Sequence, residues 1–151
     1  MTAVVIRRAT ATDVPGIVAM LADDEIGATR ENPADLTPYA AAFTAIEADP
    51  NQVLVVAERN GDLVGTLQLT IVPGLSRQGA TRALVEAVRV ASSARGSGLG
   101  TTLMEWSIEE ARARDCAILQ LTSDKARTDA HRFYLNLGFT QSHEGFKYQL
   151  S

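Results

Sequence analysis

The chain has 151 residues, 46% of them hydrophobic and 21% charged, the size and balance of one globular domain with a single core rather than two. That apolar content excludes a disordered chain, and no run approaches the roughly 18 uncharged apolar residues of a membrane span. The formal charge of -4, from 18 acidic and 14 basic residues with no basic block, points away from nucleic acid and toward a small-molecule partner.

Residues 3–8 are β-branched and predict a strand, and no basic, apolar and small-residue sequence marks the first residues for export. Thr10, Thr12 and Asp13 then lead into a helix whose Val14, Ile17, Val18 and Leu21 fall at i, i+3, i+4 and i+7. Pro15 is tolerated there because the first turn has no N–H partner to lose. The acidic stretch 23–32, with Gly27, predicts a polar loop. A second helix is expected from Thr37 as N-cap, with Pro38 at its first position and Tyr39, Ala42, Phe43 and Ile46 buried, ending near Asp49 and Pro50.

From Gln52 the period becomes that of strands. Residues 53–56 and 63–72 form a hairpin about Asn60 and Gly61, which tolerate positive φ. Residues 73–79 read as a mobile loop and 80–91 as a strand. A small-residue loop, 92–98, opens into a helix carrying Leu99, Leu103, Trp106 and Ile108 inward and Glu105, Glu109, Glu110, Arg112 and Arg114 outward. Residues 117–121 predict a short buried strand, 128–137 a helix stopped by Gly138, and 139–150 two short strands or one bent one. The order describes an α/β fold: a mixed, mostly antiparallel sheet in one layer with helices on both faces.

Arg95-Gly96-Ser97-Gly98-Leu99-Gly100 follows a strand and opens a helix, so backbone N–H groups converge at a positive helix end, an arrangement that binds phosphate. The same glycines serve equally as a purely structural turn. A Walker loop is excluded, because Gly100 is followed by Thr101 and Thr102 rather than Lys. A dinucleotide fingerprint fits badly so late in the chain, after an antiparallel hairpin.

Residues 88–100 resemble the acyl-CoA-binding segment of the GNAT family of N-acetyltransferases, whose pattern of Arg or Gln, two residues, Gly, one residue, then Gly or Ala is met by Arg95, Gly98 and Gly100. A second family segment is similar to Ala130-His131-Arg132-Phe133-Tyr134 followed by Gly138-Phe139, and the start, with Ile6-Arg7, Ala9 and Asp13, looks like the family's first strand and helix entry. The resemblance covers nearly the whole chain. It implies a GNAT-like single domain over residues 1–151 whose sheet splays open between the strand ending near Val90 and the strand 117–121. Acetyl-CoA would enter there as acetyl donor, with no metal: its pantetheine arm on the backbone of Val88 and Val90, its pyrophosphate on Gly96, Ser97, Gly98, Leu99, Gly100 and Thr101 beside Arg95, its thioester toward Tyr134. Arg127 stands where the family commonly has Asn, which replaces an amide contact to the donor with an ionic one or none.

A primary amine of pKa about 10.4 is neutral at pH 7 only about once in 10³ to 10⁴ molecules, so attack on a thioester needs a proton acceptor. Glu86, two residues before Val88, resembles the family's frequent base; the alternative is an exposed strand residue paired with Arg82 or Arg89. Asp23, Asp24 and Glu25, in the loop between the first helices, are alternatives that could guide or deprotonate the ammonium, with Asp24 and Glu25 as substrate contacts. By the resemblance Tyr134 protonates the departing sulfur, while packing beside Phe133 is its bland role. His131 and His143 read as a helix-surface and a turn residue rather than metal ligands. Cys116, the one cysteine, forms no intramolecular disulfide, fits a reducing cytoplasm, and reads as a small buried residue. Ser97 lacks the flanking glycines of a hydrolase nucleophile.

The function this implies is acetyl transfer from acetyl-CoA to a primary amine, by direct attack in a ternary complex. Residues 127–134 and 141–143 look like aminoalkylphosphonate acetyltransferases within the family, which hints at a small amine carrying an anion. The alternatives are a protein N-terminus or lysine as acceptor, and a non-catalytic acyl-CoA-binding regulatory domain. Family members are often homodimers.

Overall fold

A computed structural model describes residues 3–151; residues 1 and 2 of the expected 1–151 domain lie outside the described residues. By backbone contacts the chain falls into two compact units, one running to Gln120 and one over Leu121–Ser151.

The first unit is a five-stranded sheet in chain order: β1 (Val5–Arg8), β2 (Gln52–Arg59), β3 (Asp62–Val72), β4 (Arg82–Val90) and β5 (Ile118–Gln120). The first four pair antiparallel and β5 runs parallel to β4. Asn60 at φ 53° and Gly61 at φ 82° close the β2–β3 hairpin as their residue types require. Parallel pairing between β4 and β5 covers only Arg82 to Leu84 against Ile118 to Gln120. Beyond Leu84 the two strands share no register, so among the described residues the far half of β4 has a strand neighbour on one side only, β3.

Helices cover both faces. On one lies α5 (Leu99–Ala113), whose buried stripe is Leu99, Leu103, Met104, Ser107 and Ala111. Trp106 and Ile108, expected inward, are half-buried, because the stripe turns toward Met104 and Ser107. The approach is close: a Cβ on Gly65 of β3 would lie 3.0 Å from Leu103 Cδ1. Truncating the fully buried Leu103 to Ala therefore leaves a void that nothing fills, a cost of about 2–5 kcal/mol.

On the other face lie α1 (Val14–Ala22), reached through a 3-10 turn at Ala11–Asp13, and α3 (Thr37–Ala48). Val14 and Val18 pack with Phe43, while Ile17 and Met20 pack with Val56. Of the four residues expected to be buried on α3, only Phe43 is; Tyr39 and Ile46 are half-buried and Ala42 is exposed. The helix begins at Thr37 itself, whose N–H donates to Asp35 Oδ1 at 3.1 Å, so Asp35 satisfies the first orphan donor. The polar loop expected after α1 contains one helical turn, α2 (Gly27–Arg30). The expected mobile loop after β3 contains another, α4 (Ser76–Gly79), in which Arg77 and Gln78 are left-handed.

The entry to α1 is anchored electrostatically. Arg7 donates to Asp13 Oδ2 at 2.7 Å and Oδ1 at 3.0 Å, and to Glu58 Oε1 at 3.2 Å, while the Thr10 N–H donates to the same Asp13 Oδ2. The hydrogen bonds from Arg7 are the main reason that the buried Asp13 carboxyl is held down at about 2.

The second unit contains α6 (Thr128–Asn136), ended by Gly138 at φ 103° as its position predicts. The strands expected over residues 139–150 are not formed, and Phe146, Tyr148 and Leu150 are 93%, 89% and 91% exposed. Alternation decides which side chains share a face, but a strand exists only where a neighbour takes its backbone groups. No described helix is long and apolar enough to cross a membrane.

Candidate functional site

The decisive local feature of β4 is a bulge. Gln68 of β3 stands opposite Glu86, and Thr66 opposite Arg89, so the single residue Leu67 faces two, Ala87 and Val88. Ala87 takes φ 54°, a left-handed conformation that costs a non-glycine residue about 1–3 kcal/mol. The consequence follows from the period of two: in a regular strand Glu86 and Arg89 would point to opposite faces, and the extra residue puts both on the face of Thr66 and Gln68. This is the α1 and α3 face, opposite α5.

Beside them is an apolar cavity of about 160 Å³ between α1, α3 and the sheet, with Ile17, Leu21, Phe43 and Ile46 as walls and Gln68 and Ala87 in its floor. Glu86 is exposed at its edge, and no ion pair among the described residues involves it. Its two suggested partners are engaged elsewhere: Arg82 donates to Gln120 Oε1 at 3.2 Å, and Arg89 Nε lies 3.4 Å from Asp24 Oδ2. Gln68 donates to Gln52 Oε1 at 2.8 Å, which Thr70 also approaches at 3.0 Å.

After β4 comes the glycine loop. Gly96 at φ 81° and Gly98 at φ 82° are left-handed, and a Cβ on either would meet nothing within 4 Å. Glycine is therefore demanded by the backbone turn and not by crowding, and the space above the loop is clear. Gly98 caps α5, so the N–H groups of Leu99, Gly100 and Thr101 have no acceptor in the helix, whereas the Thr102 N–H already donates to Gly98 O at 3.1 Å. Arg95, Gly96, Ser97 and Gly98 are exposed; Gly100 and Thr101 are half-buried; Leu99 is 3% exposed, which leaves only its backbone to a ligand. Val88 and Val90 are half-buried on the β4 stretch that β5 does not accompany. The Val88 carbonyl accepts from Arg89 Nη1 at 3.0 Å.

The acidic loop after α1 is tied to this strand and loop. Asp23 lies 3.4 Å from Arg95 Nη2, which also donates to the Asp23 carbonyl at 3.0 Å. Asp24 accepts from the Gly27 N–H as well as pairing with Arg89. Glu25 is exposed.

In the second unit Tyr134 sits on α6, half-buried, edge-on to Phe133 with ring centres 5.2 Å apart and to Phe139 at 5.8 Å. Arg127 is the half-buried N-cap residue of that helix. His131 is half-buried with Nε2 2.9 Å from the Asp124 carbonyl oxygen, and His143 is exposed beside Ser142. No group of three metal-ligating side chains occurs among the described residues. Cys116 is half-buried, and burial pushes its thiol up from the ordinary range, away from the thiolate a nucleophile needs.

Sequence reasoning passed over Ala87, Gln68 and the cavity. Thr66, Gln68 and Thr70 are a polar alternation inside an otherwise apolar strand, a readable signal of a wet or liganded face. Nothing local marks Ala87 as left-handed.

The profile of the acetyltransferase (GNAT) family matches residues 18–139. The chain is a member of that family. Among curated proteins it is 33% identical over 141 residues, 93% of this chain and 88% of the relative, to an aminoalkylphosphonate N-acetyltransferase of Salmonella typhimurium. It is 29% identical, over 89% of this chain and 78% of the relative, to an L-methionine sulfoximine/L-methionine sulfone acetyltransferase of Pseudomonas paraeruginosa. Among solved structures, one described as a transcriptional regulator from Bacillus halodurans C-125 is 47% identical and superposes with a TM-score of 0.93, covering 98% of this chain and all of its own. In this GNAT chain the expected fold is met: a mixed, mostly antiparallel sheet with helices on both faces.

Proposed function

We propose that this chain transfers acetyl from acetyl-CoA to the primary amine of a small molecule, by direct attack without a covalent enzyme intermediate, and that its two compact units act as one catalytic domain. The observation that carries the reading is the build of β4 and its sequel: one strand presents Glu86 on the cavity face and runs on into a clear loop of unblocked N–H groups. An acceptor site and an anion cradle at two ends of one short segment are what two-substrate transfer requires.

The residues present fit a CoA donor. Gly96 to Thr101 would hold its pyrophosphate by backbone N–H groups at a positive helix end. The β4 edge at Val88 and Val90 would pair with the amide-bearing arm, and Arg127 is assigned an ionic contact to the donor. Bound acetyl-CoA supplies an activated thioester. Glu86 takes the ammonium proton, directly or through water, and Tyr134 donates its phenolic hydrogen to the departing sulfur. Glu25, exposed on the loop after α1, guides the cation, while Asp24 shapes that loop.

Both curated relatives are named for small amine-bearing acceptors, which supports a small molecule over a protein N-terminus or lysine. The description of the 47% identical structure as a transcriptional regulator favours one second reading, an acyl-CoA-binding domain with idle acid and base. Incubation with acetyl-CoA and a panel of amines separates the two: release of free CoA thiol that depends on the amine supports transfer, and tight CoA binding with no amine-dependent thiol release supports the regulatory domain.

A further inference from the structure

The cavity between α1 and α3 has no part in donor binding or proton transfer. Its walls are apolar, yet it is partly open rather than a sealed packing defect, and Tyr39, Ala42 and Ile46 of α3, which line it, are half-buried or exposed. Its floor joins the candidate base directly. Gln68 is both a floor residue and the cross-strand partner of Glu86, a separation of about 5 Å between Cβ atoms, and Ala87, next to Glu86 in sequence, is floor too. A molecule whose nitrogen is at Glu86 thus has an apolar hole one residue away.

We propose that this cavity is the side-chain subsite of the acceptor, and that it selects primary amines bearing a compact, unbranched apolar chain. The proposal rests on the acetyl-transfer reading and names the substrate class for it. The length follows from volume. An apolar protein cavity of about 150 Å³ holds one benzene molecule, so a space of about 160 Å³ takes a chain of about five or six carbons. Charge agrees with this division, since the described lining offers no ionised group and a charged end would have to remain at the Glu86 edge.

The test uses straight-chain primary amines from ethylamine to octylamine. Their binding to the whole protein is followed by calorimetry with CoA present, and their acetylation is followed separately with acetyl-CoA. Affinity is expected to rise about fourfold with each methylene that enters the cavity, then to break at about five or six carbons. Ala42→Leu, which adds bulk at the mouth, should move the break to shorter chains, and Ile46→Ala, which removes a wall, should move it to longer ones. Opposite shifts in two variants cannot come from a general loss of folding. A flat chain-length profile, no binding of any amine, or a break that neither variant moves overturns the subsite. Length-dependent binding without acetylation keeps the subsite and overturns the catalytic reading; acetylation with a flat profile does the reverse.

Discussion

Asp24 and Arg89 pair across the loop that follows α1, Oδ2 to Nε 3.4 Å, with side chains 23% and 18% exposed. Arg89 reaches that position only because the bulge at Ala87 turns it to the face of Glu86. The loop is thereby fastened to β4 just past the proposed base, and Asp23 fastens it a second time, to Arg95 of the glycine loop.

These two contacts predict different kinetics. Asp24→Asn keeps an acceptor for the Gly27 N–H and loses the charge, so the acceptor KM should rise about three- to tenfold while the acetyl-CoA KM stays within about twofold. Asp23→Asn removes the charge paired with the exposed Arg95, leaving its hydrogen bond to the Asp23 carbonyl, and should instead lower the acetyl-CoA KM slightly, by about twofold, if Arg95 stands beside the proposed anion cradle, an effect erased by added salt. Steady-state kinetics in both substrates checks this, and equal changes in the two KM values for either variant would sink it.

At Gly98 the left-handed φ strains any side chain, and a bulky one would also stand in the clear space above the loop where a ligand would sit. Gly98→Val meets no atom within 4 Å of its added Cβ but must hold a left-handed φ, so it should cost about 1–3 kcal/mol of stability and abolish CoA binding measured by calorimetry on protein shown to be folded. Unchanged CoA affinity in a folded Gly98→Val protein would refute the cradle.

Tyr134→Phe keeps the ring and its contacts with Phe133 and Phe139 and removes one donor. The protein should fold normally, bind acetyl-CoA within a few-fold, and lose roughly 10² to 10⁴ in kcat, with the basic limb of the pH profile shifted. A fall of less than about threefold, with chemistry shown to limit turnover, makes Tyr134 a packing residue.

Acid stability should depend on Asp13. Its carboxyl is held at about 2 against an ordinary 3.8, first by hydrogen bonds from Arg7. A folded-state value below the unfolded one means that the unfolded chain binds more protons, so the contribution is complete above about pH 5 and disappears as pH falls toward 2. Asp13→Asn should cost about 2 kcal/mol near neutrality, and urea midpoints should show the gap to wild type closing from pH 5 downward. A gap independent of pH would show that Arg7 does not discriminate the charged form.

Periodicity and turn chemistry made much of this protein legible without a structure. The apolar spacing of Val14, Ile17, Val18 and Leu21 sets α1, Asn60-Gly61 sets the hairpin, and Gly98 before Leu99 sets the start of α5, because each is a demand of the backbone on nearby residues. The glycine loop was legible for the same reason. Burial on α5 and α3 was less so: Met104 displaced Trp106 inward, and Ala42 stayed out, since the depth of a helix face depends on what lies opposite. The apolar alternation of Phe146, Tyr148 and Leu150 misled, because a pattern of period two states a preference and supplies no partner strand.

By itself, then, the sequence determined the elements whose cause is local, and through two motifs the family. Only tertiary structure decided which face of β4 bears the proposed base. Alternation predicts opposite faces for Glu86 and Arg89, and one left-handed alanine reverses that. The strain there is held by pairing with Gln68 and Thr66, some twenty residues away in the chain, and the cavity beside it is lined from five separate stretches, α1, α3, β2, β3 and β4, that no short sequence window contains.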